Sequence, residues 1–177
     1  MDIILKRSIE WLDRLIAFDT TSRLSNLDLI SDIEKYMNEL GVPTRLTHDK
    51  DKTKANLWCT IGPQDIGGVV LSGHTDVVPI DGQEWTKTPF RMSEESGKLF
   101  GRGTSDMKGF CAIALAMAPE MKSRDLKVPI HFAFSFDEEV GCVGVRHLIK
   151  DVVDNLPLPR AVIVGEPTSM KIVGGNK

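Results

Sequence analysis

Cysteine is scarce. Three residues in 177 (Cys59, Cys111 and Cys142) are too few and too scattered for a disulfide framework or a cysteine-rich zinc site, and this usage fits a reducing compartment. Long apolar runs are missing too: no stretch approaches the ~18 residues of a membrane span. The N-terminus, Met1-Asp2-Ile3-Ile4-Leu5-Lys6-Arg7, shows no small-residue cleavage pattern, so a signal peptide is not expected and the expected location is cytoplasmic. There is no excess of positive charge. The 22 Lys and Arg against 25 Asp and Glu leave a net charge of −3, without the basic footprint of a nucleic-acid binder. A G-x-S-x-G elbow is also lacking, which argues against serine hydrolase chemistry, and no cysteine has a histidine partner in sequence. What remains is an ordinary globular composition, 27% charged and 41% hydrophobic, in a chain long enough to bury one real core. We find no internal repeat and no low-complexity segment.

Hydrophobic periodicity gives the expected elements. Leu5, Ile9, Leu12 and Ile16 predict an amphipathic helix over 3–17, ended by the turn formers Asp19 to Ser22. A second helix is predicted with Ser25 as N-cap, Ile30, Ile33, Met37 and Leu40 as its buried stripe, and Gly41 as its stop. A polar segment follows Pro43, and the Asp49–Lys54 charges read as a solvated turn. Strands are predicted over 56–61, 67–73, 128–136 and 161–164. The long connection 80–96 is expected to be packed by Trp85 and Phe90. A helix through Phe110, Ile113, Ala114 and Met117 should end or kink at Pro119, and another runs through Val145, Leu148, Ile149 and Val152. His131 reads as a core or edge histidine and His147 as inert. The strand–polar–helix rhythm predicts an α/β layered sheet with helices on both faces.

The polar residues collect at strand ends. Val69-Val70-Leu71 leads into His74-Thr75-Asp76, and Val128–Phe136 leads into Asp137-Glu138-Glu139. Ala161–Val164 ends in Gly165-Glu166-Pro167-Thr168, and a glycine-rich turn, Gly101 to Gly109, carries Asp106. That turn fits neither common phosphate-loop spacing, and an aspartate at its centre would repel a phosphate. Carboxyl ends of strands are where open α/β sheets place chemistry. His74, Asp106, Glu139 and Glu166 are therefore expected to converge, each after a strand of one sheet. One imidazole with several carboxylates suits Zn²⁺, Co²⁺ or Mn²⁺. A His-x-Asp pair lets the aspartate fix the ring of a metal-binding histidine. Of two adjacent glutamates, one can bind metal while its neighbour acts as general base.

These motifs resemble those of the dinuclear-zinc aminoacylase/carboxypeptidase (metallopeptidase) family, most closely its acetylornithine deacetylase branch, through Asp137–Gly144 and Gly165–Thr168. The resemblance implies a zinc-aminopeptidase-like catalytic domain with two Zn²⁺ per complete site, Co²⁺ being a possible substitute. It implies that His74 and Glu166 bind one metal, Asp106 bridges, and Glu139 binds the second. Glu138 is then the general base, and Asp76 steadies His74 from behind. The implied reaction is hydrolysis of a small N-acyl amino acid, foremost N-acetylornithine to ornithine and acetate in arginine biosynthesis. Related desuccinylase, aminoacylase and dipeptidase activities are the alternatives. Members of the family are homodimers and longer, with a lid/dimerisation domain and a later catalytic segment that supplies another histidine. Residues 1–177 are thus expected to be the N-terminal part of the catalytic domain, incomplete at its C-terminal end. Members often carry histidine where Asn176 stands. The competing expectation is a non-catalytic, metal-binding remnant.

Overall fold

The computed structural model describes residues 2–174; Asn176 lies outside them. Helix α1 (Ile3–Ile16) starts where the Asp2 carboxylate accepts the Ile4 N–H at 2.9 Å, and its stripe buries Trp11, Leu12, Leu15 and Ile16. Helix α2 (Leu27–Glu39) buries Leu29, Ile30, Ile33 and Met37, and Gly41, at φ +67°, turns the chain out of it. Its start differs from expectation by one residue. Asn26 occupies the N-cap position without a side-chain cap, while the Ser25 hydroxyl accepts the Leu27 N–H and donates to Thr53 O.

The polar stretch after Pro43 is a strand, β1 (Thr44–His48), which pairs antiparallel with β2 (Ala55–Ile61). Its own composition did not mark it, because its stability comes from the largely buried neighbour it pairs with. β3 (Val69–His74) follows. The long connection after it closes in a two-stranded ribbon, β4 (Ser93–Glu95) and β5 (Lys98–Phe100), rather than an open loop. Trp85 does pack as expected, with the Arg102 guanidinium 4.9 Å above its ring.

Helix α3 (Lys108–Lys122) runs through Pro119 and one turn beyond it. A proline there leaves the carbonyl four residues back, that of Leu115, without its helical donor. The Tyr36 hydroxyl of α2 supplies one instead, at 3.1 Å. The chain then forms β6 (Ile130–Ser135), α4 (Val143–Asn155) and β7 (Ala161–Val164).

The five-stranded sheet has the order β1-β2-β6-β3-β7. β1, β2 and β6 are antiparallel neighbours, whereas β6, β3 and β7 run parallel, so the carboxyl ends of these three open on one edge. Helices α1, α2 and α3 bury one face around Leu57, Cys59, Phe132 and Phe134. The other face, with Trp58, Val70 and Ala133, is covered by Leu148 and Val152 of α4. Helices on both faces fit the predicted α/β layers. His131 is a satisfied core histidine: it accepts the Gly68 N–H and bonds Thr60. No helix among the described residues is long and apolar enough to cross a membrane.

Candidate metal centre

Register brings the site residues level. His74 pairs with Ser135, so the acids after β6 begin beside it; Ser72 pairs with Val164, so two further residues on each strand align His74 with Glu166. His74 is 1% exposed. Its Nδ1 donates to the main-chain oxygen of Asp76 at 2.9 Å, with the Asp76 carboxylate farther away at 3.5 Å. Nε2 therefore faces the acids: Asp106 at 3.2 Å, Glu166 at 3.7 Å and Glu138 at 3.8 Å. Asp106 arrives by a different route from the one expected. It follows the β4–β5 ribbon, not a strand of the main sheet, and the glycine turn carries it to the edge where α3 begins. The turn is held there by Lys108, whose buried ammonium donates to Leu15 O and Phe18 O at the end of α1 at 3.0 and 2.8 Å.

Two sets of three ligand atoms lie within 4.8 Å of one another: His74, Asp106 and Glu139, and His74, Glu138 and Glu166. All four residues read as metal ligands, and Glu138 with them, thus gather at one place. A hollow of about 230 Å³ beside them is lined in part by Val78, Arg102, Thr104, Asp106 and Glu139. Larger hollows against α1 and α3 (about 620 Å³) and against α4 (about 330 Å³) contain none of these donors. Donor chemistry, rather than volume, marks the site.

The electrostatics fit a cation. Burial and the neighbouring Asp106 and Glu138 carboxylates push Glu166 up to about 7, although His74 pulls the other way. Glu139 is raised by burial and by Asp106. Burial would lower His74, but the Asp76 carboxylate and carbonyl and the charge of Glu166 outweigh it and raise the imidazole to about 9. Carboxylates that resist ionisation beside one another are relieved by a divalent ion, and carboxylate oxygens with imidazole nitrogen suit zinc or cobalt. The donor set therefore fits such a metal, with His74, Asp106, Glu139 and Glu166 in position to hold it.

Asp76 does more than face the histidine. Its buried carboxylate accepts the Ser22 hydroxyl at 2.7 Å and the Glu138 and Glu139 N–H groups at 3.0 and 3.3 Å. Burial opposes its ionisation, yet His74 and these donors hold its pKa below the usual value. Lys54, expected in a solvated turn, instead forms an ion pair with Asp137 at 2.6 Å, both side chains being mostly buried. Ser22, Lys54 and Lys108 carried no signal of this in sequence: a serine in a turn and a lysine in a charge cluster look the same whether solvated or braced.

The profile of peptidase family M20/M25/M40 matches residues 70–174. Acetylornithine deacetylase of Shigella sonnei is 37% identical over 154 residues, 86% of this chain and 39% of that protein. Acetylornithine deacetylase of Buchnera aphidicola subsp. Schizaphis graminum is 35% identical over 175 residues, 96% of this chain and 45% of its own. The chain thus spans about two-fifths of the length of these curated relatives. Among solved structures, an M20 family metallo-carboxypeptidase from Sulfolobus solfataricus superposes with a TM-score of 0.72 at 24% identity, over 93% of this chain and 37% of that one, a likeness of fold.

Proposed function

The chain belongs to peptidase family M20/M25/M40, a family of metallohydrolases, and from that premise we propose that it serves the hydrolysis of an N-acyl amino acid, with N-acetylornithine the favoured substrate. The observation that carries the reading is the buried His74, turned by Asp76 so that Nε2 meets Asp106 and Glu166 at 3.2 and 3.7 Å. His74, Asp106, Glu139 and Glu166 are proposed as ligands of Zn²⁺ or Co²⁺, with Asp106 shared. When bound, such an ion polarises an acyl carbonyl and acidifies water. Glu138 is proposed as general base: it takes a proton from the attacking water and later returns it to the leaving amine. Asp76 holds the His74 ring by its carbonyl and the Glu138 main chain by its carboxylate. Ornithine and acetate are the products, which places the reaction in arginine biosynthesis.

Residues 1–177 are read as the N-terminal part of the catalytic domain, supported by coverage of 39% and 45% of the two deacetylases. One observation favours a second reading, a metal-binding unit without turnover: both ligand triads share one imidazole, His74. Two carboxylates alone hold zinc weakly, and a zinc site ordinarily has at least three protein ligands. Zinc content of the purified chain, measured with ornithine release from N-acetylornithine under added Zn²⁺ or Co²⁺, separates the two. Ornithine release supports the deacetylase reading. Metal uptake without release supports the second, and release from an N-succinyl amino acid or a dipeptide alone moves the substrate assignment.

A further inference from the structure

The linker between α1 and α2 contains no proposed ligand, yet through Ser22 it reaches the Asp76 carboxylate. Ser22 is 7% exposed. Its hydroxyl donates to Asp76 Oδ2 at 2.7 Å, and its N–H donates to Val77 O at 3.2 Å. Its carbonyl accepts Lys54 Nζ, and the same ammonium pairs with Asp137 Oδ1 at 2.6 Å. Asp137 opens the acid turn at φ +54°, a conformation that side chains other than glycine rarely adopt and that needs outside support. Asp76 holds the other side of the same turn through the Glu138 and Glu139 N–H groups. The two supports of the turn, one through a carboxylate and one through an ammonium, therefore meet at Ser22.

We propose that Ser22 is a positioning residue: it sets the orientation of the Asp76 carboxylate and, with Lys54, the placement of Glu138 and Glu139 beside His74. The inference rests on the metal-hydrolase reading above. Asp76 Oδ2 is shared by the Ser22 hydroxyl and the Glu139 N–H. Without the hydroxyl, only the Glu138 and Glu139 N–H groups oppose rotation of that carboxylate toward His74 Nδ1, whose distance from Oδ1 is 3.5 Å. Rotation would loosen both glutamates at once. Such groups behind metal ligands are worth about 10–100-fold in metal affinity.

The test is a Co²⁺ titration of the whole chain, followed by the visible d–d absorption, on wild type, Ser22→Ala and Ser22→Thr, with urea unfolding of each metal-free protein alongside. Ser22→Ala is expected to bind Co²⁺ about tenfold more weakly and to show an altered band at saturation, while Ser22→Thr, which keeps the hydroxyl, restores the wild-type band. Should Ser22→Ala not fold, Lys54→Met removes the second support without touching Asp76, and the same weakening is expected. A merely structural serine would move the urea midpoint but leave affinity and the saturated band as in wild type, and that result overturns the proposal. A wild-type chain that takes up no Co²⁺ overturns the metal reading itself, and this inference with it.

Discussion

At the scale of single residues, the site is a competition for protons. With His74 raised to about 9 and Glu166 to about 7, the metal-free site holds a proton on the imidazole at neutral pH and part of one on Glu166. Nδ1 is engaged by Asp76 O at 2.9 Å, so the proton a metal must displace is the one on Nε2. Metal affinity is therefore expected to rise about tenfold per pH unit from 7 to 9, flatten above, and fall more steeply below 7, where both groups are protonated. A chelator competition series across that range checks it, and a flat profile would contradict the ligand assignment of His74. The two adjacent glutamates are expected to separate by variant in a catalytically competent protein. Glu138→Gln keeps its metal and loses about 10²–10⁴-fold in turnover, the ordinary contribution of a general base. Glu139→Gln loses metal from one site. Elemental analysis showing the reverse would exchange their roles.

At the scale of elements, helix α3 and helix α4 are held in place by contacts that their own sequences do not display. The Tyr36 hydroxyl donates to Leu115 O at 3.1 Å, the carbonyl that Pro119 leaves without a donor. Tyr36→Phe is expected to cost about 1–3 kcal/mol, read as a lower urea midpoint with metal content unchanged. Gly144 sits where a Cβ would lie 2.2 Å from Phe136 O. Gly144→Ala must push α4 off the end of β6, where the acid turn hangs, and a loss of about 1–3 kcal/mol is expected, this time with weaker metal binding. The four helices and strands β2, β3, β6 and β7 were legible because their apolar periods are strong. Strands β1, β4 and β5 were not, because strands of only three to five residues show no apolar period and take their stability from a partner.

At the scale of the whole molecule, the sheet is unevenly covered. Three helices bury one face and α4 only part of the other. β7, at the sheet edge, keeps Val162, Ile163 and Val164 54%, 51% and 57% exposed. An apolar edge strand with free N–H and C=O groups is a template for pairing with another chain. The chain is therefore expected to self-associate as its concentration rises, and Val162→Lys with Val164→Lys to shift it toward monomer. Sedimentation velocity over a concentration series checks this, and a monomer at every concentration would rule it out.

His74, Asp76, Asp106, Glu138, Glu139 and Glu166 stood out in the linear chain as candidates because each follows an apolar strand or sits in a glycine turn, and open α/β sheets place their chemistry at strand carboxyl ends. The local chemistry of the site, one imidazole among carboxylates, followed from those residues alone. What the tertiary structure decided is how they meet. Parallel register sets Glu166 level with His74, the β4–β5 ribbon rather than the main sheet delivers Asp106, and the main-chain oxygen of Asp76, not its carboxylate, makes the close bond to Nδ1. Ser22 and Lys54 belong to the same class. They act from 54 and 83 positions away on Asp76 and Asp137, and a hydrogen bond across such separation has no local pattern to betray it, because it depends on which elements pack side by side.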